Sequence, residues 1–218
     1  MTSESRSSGP GRSFVEEARR AQIVKCTIDI ISTHGYAQTS LALIAERAGI
    51  SKGVISYHFA GKEELIEQVF KEVMTLAAKE VLPLVEKQPR AKDKLRVYIE
   101  GSIAFMGTHG PHSIVLLEIW NGLRTTEGRP FFDASSYEPG LEFLQGIFRQ
   151  GQSEGEFRRF APRVMAVTVR SAIDGILVQR ITYGDKVDLE ESARELVALF
   201  DAATARPTRA SKRPRTSP

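Results

Sequence analysis

The chain has 218 residues, of which 41% are apolar and 26% are charged, and its formal net charge is +3 at pH 7. This length and apolar content are sufficient for one large or two small hydrophobic cores. Its single cysteine, Cys26, excludes an internal disulfide, and we expect it to be a small buried hydrophobe rather than a redox sensor. The apolar runs are too short for a membrane span, and residues 1–14 lack the apolar core of a signal peptide, so we expect a cytoplasmic protein without a membrane partner.

Charge is distributed unevenly along the chain. Residues 1–62 contain 8 Lys/Arg against 5 Asp/Glu, residues 63–203 contain 17 against 22, and residues 204–218 contain 5 against none. A basic N-terminal part on an acidic body is typical of a protein of which one end approaches phosphates. Composition predicts disorder in an arm at 1–13 and in the basic tail at 204–218. The tail either adds nonspecific DNA affinity or is a solvated extension.

A first helix is predicted over 15–34, and residues 39–59 are predicted to form two short helices joined by a turn. Thr39 or Ser40 can cap the first short helix, whose apolar residues recur at three- and four-residue spacing. Gly49 stands where a helix ends in a left-handed residue, and Ser51 suits the N-cap of the second short helix. The exposed side of that helix is small, polar and cationic, and it consists of Lys52, Gly53, Ser56, Tyr57 and His58. This is the helix-turn-helix arrangement, in which the second helix reads the major groove of DNA.

Five motifs follow one another in this region. They are the pair Gly35-Tyr36, the pair Ile44-Ala45, the turn AGISKG at 48–53, the triplet Tyr57-His58-Phe59 and the string KEEL at 62–65. With these motifs, residues 23–70 resemble the N-terminal DNA-binding domain of TetR-type transcriptional regulators. Two positions depart from that family: Ser56 replaces a frequent aromatic residue, and Ala42 replaces a long polar side chain of some relatives. We therefore expect base reading to depend mostly on the second short helix.

The resemblance and the side-chain chemistry together predict the DNA contacts. We expect Lys52 to contact a base edge or a phosphate, because an ammonium group suits guanine acceptors and phosphate oxygens. Lys62, at the start of the next helix, is expected to bind a phosphate beside the positive end of the helix dipole. Tyr57 and His58 are candidates for packing against the DNA backbone, and His58 is equally suited to a hydrogen bond within the domain. The predicted DNA-binding residues are Thr39, Ser40, Ser51, Lys52, Gly53, Ser56, Tyr57, His58 and Lys62.

Helices are predicted through the rest of the chain, with a turn at 109–111 and an irregular connection at 122–139. They span 63–86, 94–108, 113–121, 141–152, 162–182 and 189–203. The predicted fold is all-α, with a three-helix DNA-binding domain at 14–62 and a helical effector-binding and dimerisation domain at 63–203.

The resemblance implies a homodimer formed by the last two long helices. Small residues at Ala172 and Gly175 would allow close helix approach. Two apolar stripes are candidates for this interface, Ala166, Val169, Ile173 and Leu177 on one helix, and Leu196, Val197, Leu199 and Phe200 on the other. Inward packing of both stripes within one subunit is the alternative.

The resemblance also implies an effector pocket enclosed by the middle helices. Aromatic lining would suit a planar or cationic hydrophobic compound, although packing in the core is the simpler interpretation of any single aromatic residue. The candidate ligand-binding residues are Phe105, His109, Trp120, Asn121, Phe143, Arg170 and Asp174.

The sequence thus predicts a homodimeric regulator that binds a palindromic double-stranded DNA operator, most simply as a repressor released by a small molecule. We predict no enzyme activity, and hence no catalytic residue, metal or cofactor. One alternative is a structural protein that binds unrelated duplexes with similar affinity. The other, a helical metal-dependent enzyme built around Glu118, His109 and His112, lacks an HExxH or repeated ExxH pattern.

Overall fold

The computed structural model describes residues 10–122, 124 and 134–207, and side chains at 14–120, 124 and 136–207. These ranges form helices and connections, with a short 3₁₀ turn at Gly184–Lys186 and an isolated bridge between Phe157 and Ala205. The helices are α1 (Pro10–His34), α2 (Leu41–Ala48), α3 (Lys52–His58), α4 (Lys62–Glu86), α5 (Ala91–Thr108), α6 (Gly110–Gly122), α7 (Ala134–Ser153), α8 (Pro162–Tyr183) and α9 (Leu189–Thr204). The predicted all-α fold is confirmed. None of the described helices is both long and apolar enough to cross a membrane.

Local chemistry determines where α2 and α3 begin and where α2 ends. The Ser40 hydroxyl accepts a hydrogen bond from the backbone N–H of Leu43 at 3.2 Å, and the Ser51 hydroxyl accepts one from Val54 at 3.4 Å. Gly49 follows α2 with a φ of 65°, in the left-handed region that a side chain disfavours. Both caps and the turn therefore lie where the sequence predicted them.

Two predicted connections are wrong. Only His109 separates α5 from α6, so the predicted turn at 109–111 is a single residue. Pro111 lies in the first turn of α6, where a backbone N–H has no acceptor within the helix and a proline therefore loses no hydrogen bond. The predicted irregular connection includes residues 134–139, which belong to α7 and place Pro139 inside that helix. The rest of the connection, at 123 and 125–133, lies outside the described residues.

The chain divides into two compact units. The first comprises Met1–Glu80 and Phe105–Asp133, and the second comprises Val81–Ala104 and Ala134–Pro218. Within the first unit, α6 packs against α1, and Val115 and Ile119 of α6 share one buried core with the residues beneath α2 and α3. The predicted domain boundary between residues 62 and 63 stays a prediction.

In the second unit, α8 packs against α7 and contacts α9. The stripe Ala166, Val169, Ile173 and Leu177 is 0 to 7% exposed within the single chain. Assigning this stripe to a dimer interface was therefore wrong, because α8 packs it inside its own subunit. On α9, Phe200 is likewise buried, whereas Leu199 is 58% exposed.

Candidate nucleic-acid interface

The exposed face of α3 brings together four of the residues predicted to bind DNA. Ile55 is fully buried and holds the helix on the core. The opposite side is exposed and presents Lys52, Gly53, Ser56 and Tyr57. Tyr57 has 73% of its surface exposed and its ring lies edge-on to His58, with 5.0 Å between the ring centres. His58 itself is half-buried. The face combines small, polar and cationic side chains, which suit a surface that enters a DNA groove.

Helix α1 holds the ends of both short helices. The Arg20 guanidinium donates to the carbonyl oxygen of His58 and lies 4.2 Å from the centre of the Phe59 ring. The Gln22 side-chain amide donates to the carbonyl oxygen of Ala48 at 3.0 Å. These bonds satisfy carbonyl groups that a helix leaves free at its C-terminal end. They join residues 26 and 38 positions apart, so sequence spacing gave no signal for them.

Lys62 lies at the first residue of α4, and its ammonium already has partners within the protein. Its Nζ is 3.4 Å from the carbonyl oxygen of Tyr36 and 4.2 Å from the centre of the Tyr36 ring. Burial lowers the pKa of this ammonium below its usual value. An ammonium has three N–H donors, so the Tyr36 contact leaves others for a phosphate.

Thr39 and Ser40 occupy different environments at the start of α2. Thr39 is only 3% exposed, and its hydroxyl donates to the Gly35 carbonyl oxygen at 2.9 Å. Ser40 is exposed and caps the helix, as Ser51 does for α3. Ser40 is therefore better placed than Thr39 to contact a phosphate, and both roles remain predictions.

Glu118, on α6, contacts the loop that follows α1. Its Oε2 accepts a hydrogen bond from the backbone N–H of Tyr36 at 3.1 Å. A Cβ on Gly35, which has a φ of 79°, would lie 3.4 Å from the same oxygen. The sequence did not predict this contact, because 82 residues separate its two partners.

Three candidate effector residues have their described neighbours in the first unit. The rings of Phe105 and His109 are stacked, with 4.5 Å between their centres, and His109 Nε2 is 3.4 Å from a Glu80 carboxylate oxygen. Trp120 lies 6.3 Å from the Phe70 ring. The side chain of Asn121, the fourth candidate in this part of the sequence, lies outside the described residues.

The other three candidates lie in the second unit. Arg170 forms a two-bond ion pair with the Asp174 carboxylate, at 2.7 and 3.2 Å, and the Tyr137 hydroxyl donates to the same carboxylate at 3.1 Å. Burial lowers the pKa of Arg170, but Asp174, Tyr98 and Tyr137 together raise it by more, so the guanidinium stays charged. The Phe143 ring lies 6.2 Å from that of Tyr98.

Phe143 also lines a groove of about 320 Å³, whose other lining residues are Val85, Glu86, Lys94, Glu142, Gly146, Ile147 and Gln150. In the part of the chain with described side chains, no three His, Cys, Asp or Glu residues are grouped as ligands for a metal ion.

Comparison with known proteins agrees with this architecture. Residues 23–69 match the family model of bacterial regulatory proteins of the tetR family. The chain is 29% identical over 191 residues to the HTH-type transcriptional regulator BetI of Ectopseudomonas mendocina (strain ymp), and the match covers 83% of this chain and 90% of BetI.

Two solved structures share the fold. The transcriptional regulator FadR from Bacillus subtilis, in complex with stearoyl-CoA, superposes with a TM-score of 0.75 at 24% identity, covering 84% of this chain and 97% of FadR. A putative transcriptional regulator from Saccharomonospora viridis, in complex with choline, has a TM-score of 0.73 at 21% identity, covering 88% of this chain and 99% of that chain.

An N-terminal helix-turn-helix domain with an exposed reading helix, followed by a helical body, defines a DNA-binding transcriptional regulator. Within that class, residues 23–69 match the DNA-binding domain of the tetR family.

Proposed function

We propose that the protein is a homodimeric repressor that binds a palindromic operator and is released by a small-molecule effector. The observation that carries the proposal is the exposed face of α3, where Lys52, Ser56 and Tyr57 project from a helix anchored by buried Ile55 and Phe59. The side chains of this face can donate to base edges and phosphates, and the helix is held at its end by α1.

The outer face of α8 supports a dimer. It lies opposite the buried stripe of the same helix and carries Val164, Val167, Val178 and Ile181, which are 65, 43, 40 and 41% exposed. Gly175 lies on this face with open space around it, so a second helix can approach closely. Several exposed apolar residues on one side of a helix are typical of an interface. A second copy of the chain, related by a two-fold axis, would cover it and place two α3 helices on one palindrome.

The groove beside Phe143 favours a small cationic effector. Glu86 and Glu142 contribute two carboxylates, and Lys94, the basic lining residue, donates to Gln150 at 2.8 Å. Excess negative charge beside an aromatic ring favours a quaternary ammonium compound over an anionic acyl-CoA. The choline-bound relative is consistent with this class.

Release requires the effector and DNA to favour different conformations of the protein. Helix α6 is the proposed link, because Glu118 joins it to the backbone of the loop between α1 and α2. A shift of α6 would move this loop and, with it, the start of α2.

Selection of bound duplexes from a random-sequence pool tests the proposal. Wild type should enrich a palindrome, Lys52→Ala should lose it, and Lys25→Ala, which removes an exposed lysine of α1, should keep it. Choline and stearoyl-CoA are then added separately to the protein–operator complex, and choline alone should release the DNA. Equal binding of all duplexes would instead support a nonspecific structural DNA-binding protein.

A further inference from the structure

The recognition face includes one unexpected contact with an acidic residue. The exposed Tyr57 hydroxyl donates a hydrogen bond to Oε1 of Glu16 in α1, at 3.2 Å. Glu16 lies one helical turn before Arg20, which binds the carbonyl oxygen of His58. Helix α1 therefore contacts two consecutive residues of α3, and at Tyr57 it does so with a negative charge.

A carboxylate at this position conflicts with DNA binding. A tyrosine hydroxyl has a single O–H to donate, so it cannot donate to Glu16 and to a phosphate oxygen at the same time. A phosphate that took this hydrogen bond would also lie close to the Glu16 carboxylate, and the two negative charges would repel each other.

We propose that Glu16 limits the DNA affinity of the protein by competing with a DNA phosphate for the hydroxyl of Tyr57. The inference rests on the proposed function, because it takes α3 as the DNA-binding helix. Phosphates are present in every sequence, so the effect of Glu16 is the same on operator and unrelated duplexes. Salt screens the repulsion, so the effect is largest at low ionic strength.

The test compares Glu16→Ala with Glu17→Ala, the exposed neighbour on the same helix, by fluorescence anisotropy titration of the enriched operator and a scrambled duplex. Alanine favours helices, so both variants should fold, which circular dichroism verifies. Glu16→Ala should bind both duplexes roughly two- to fivefold more tightly at low salt and less so at high salt, whereas Glu17→Ala should change affinity less.

A double-mutant cycle with Tyr57→Phe identifies the mechanism. The gain from Glu16→Ala should be smaller in the Tyr57→Phe background, because the competition for the hydroxyl is lost and only the charge repulsion remains. An equal gain in that background would overturn the inference, and so would a Glu16→Ala variant that binds no more tightly than wild type. The proposed function would still hold in either case if wild type binds the operator and Lys52→Ala loses that binding. Failure of wild type to bind any duplex would overturn both.

Discussion

Lys52 and Lys62 differ in their surroundings, and this difference predicts different losses on substitution. Lys52 is exposed on α3, whereas Lys62 is half-buried against Tyr36 at the start of α4. Lys52→Ala should weaken operator binding by about 1–3 kcal/mol and alter sequence preference, whereas Lys62→Ala should weaken all duplexes similarly and lower the salt slope by about one. Titrations of both duplexes over a series of salt concentrations measure both effects. Sequence discrimination lost in Lys62→Ala but kept in Lys52→Ala would reverse the two assignments.

His112 gives the first unit an acid sensitivity. Its Nδ1 is buried and has no hydrogen-bond partner among the described residues. Burial, followed by the nearby His109, lowers the pKa of its imidazole, against smaller opposite effects of Asp29 and Glu80. The unfolded chain therefore takes up this proton at a higher pH than the folded chain, so stability falls as the pH drops below about 6.5, the ordinary histidine pKa.

His112→Gln should abolish that contribution to the loss of stability. The measurement is the free energy of unfolding by urea for wild type and variant between about pH 7.5 and pH 5. At about pH 7.5 the His112 side chain and the glutamine that replaces it are both neutral, so the difference in stability between wild type and variant at that pH serves as the reference. If acidification lowers the free energy of unfolding of the variant as much as that of wild type, His112 is not the source of the loss.

The predictability of single residues depended on how far their partners lie along the chain. Ser40, Gly49 and Ser51 act on backbone groups a few residues away, and the sequence was sufficient to predict their structural roles. The partners of Glu16 and Glu118 lie 41 and 82 residues away, and no local pattern encodes such contacts. The sequence thus predicted the exposed face of α3, but neither its contact with Glu16 nor the contact of Glu118 with the loop before α2.

At the scale of elements, the turn between α2 and α3 depends on Gly49. Its φ of 65° is unfavourable for any residue with a side chain, and no atom lies within 4 Å of an added Cβ, so strain alone determines the cost. Gly49→Ala should destabilise the protein by about 1 kcal/mol. Gly140→Ala, in α7 with equally open space, should instead stabilise it by up to about 1 kcal/mol, because alanine favours a helix. Urea unfolding of both variants checks the opposite signs, and a neutral Gly49→Ala would show that the turn relaxes.

Helix boundaries and helix faces were harder to predict than helix existence. Pro111 and Pro139 were interpreted as parts of connections, yet both lie inside helices. Helix α8 has apolar residues on two opposite faces, and its periodicity alone cannot tell which face meets α7 and which stays exposed. Only the position of the neighbouring helices resolves that choice, and it places the stripe predicted for the dimer inside the subunit.

At the scale of the whole molecule, dimer formation and operator binding should be linked. A single α3 of seven residues offers few base contacts, so we expect useful affinity only when two copies bind one palindrome. A substitution on α8 that separates the subunits without unfolding them should therefore weaken DNA binding, even though α8 itself does not contact DNA in the proposed complex.

Val178→Glu makes this link testable. Val178 is 40% exposed on the outer face of α8, and dimer formation would bury a glutamate of each subunit in an apolar interface, where uncompensated charge is costly. The variant should be a folded monomer by sedimentation and circular dichroism, and it should bind the enriched operator at least about 100-fold more weakly than wild type, since linked sites gain 10²-fold or more in affinity. Leu84→Glu, at a 48% exposed position of α4, places the same charge outside the proposed interface and should remain dimeric with wild-type affinity. A dimeric Val178→Glu would exclude this face of α8 as the interface, and a monomeric variant with undiminished operator affinity would show that one subunit is sufficient to bind DNA.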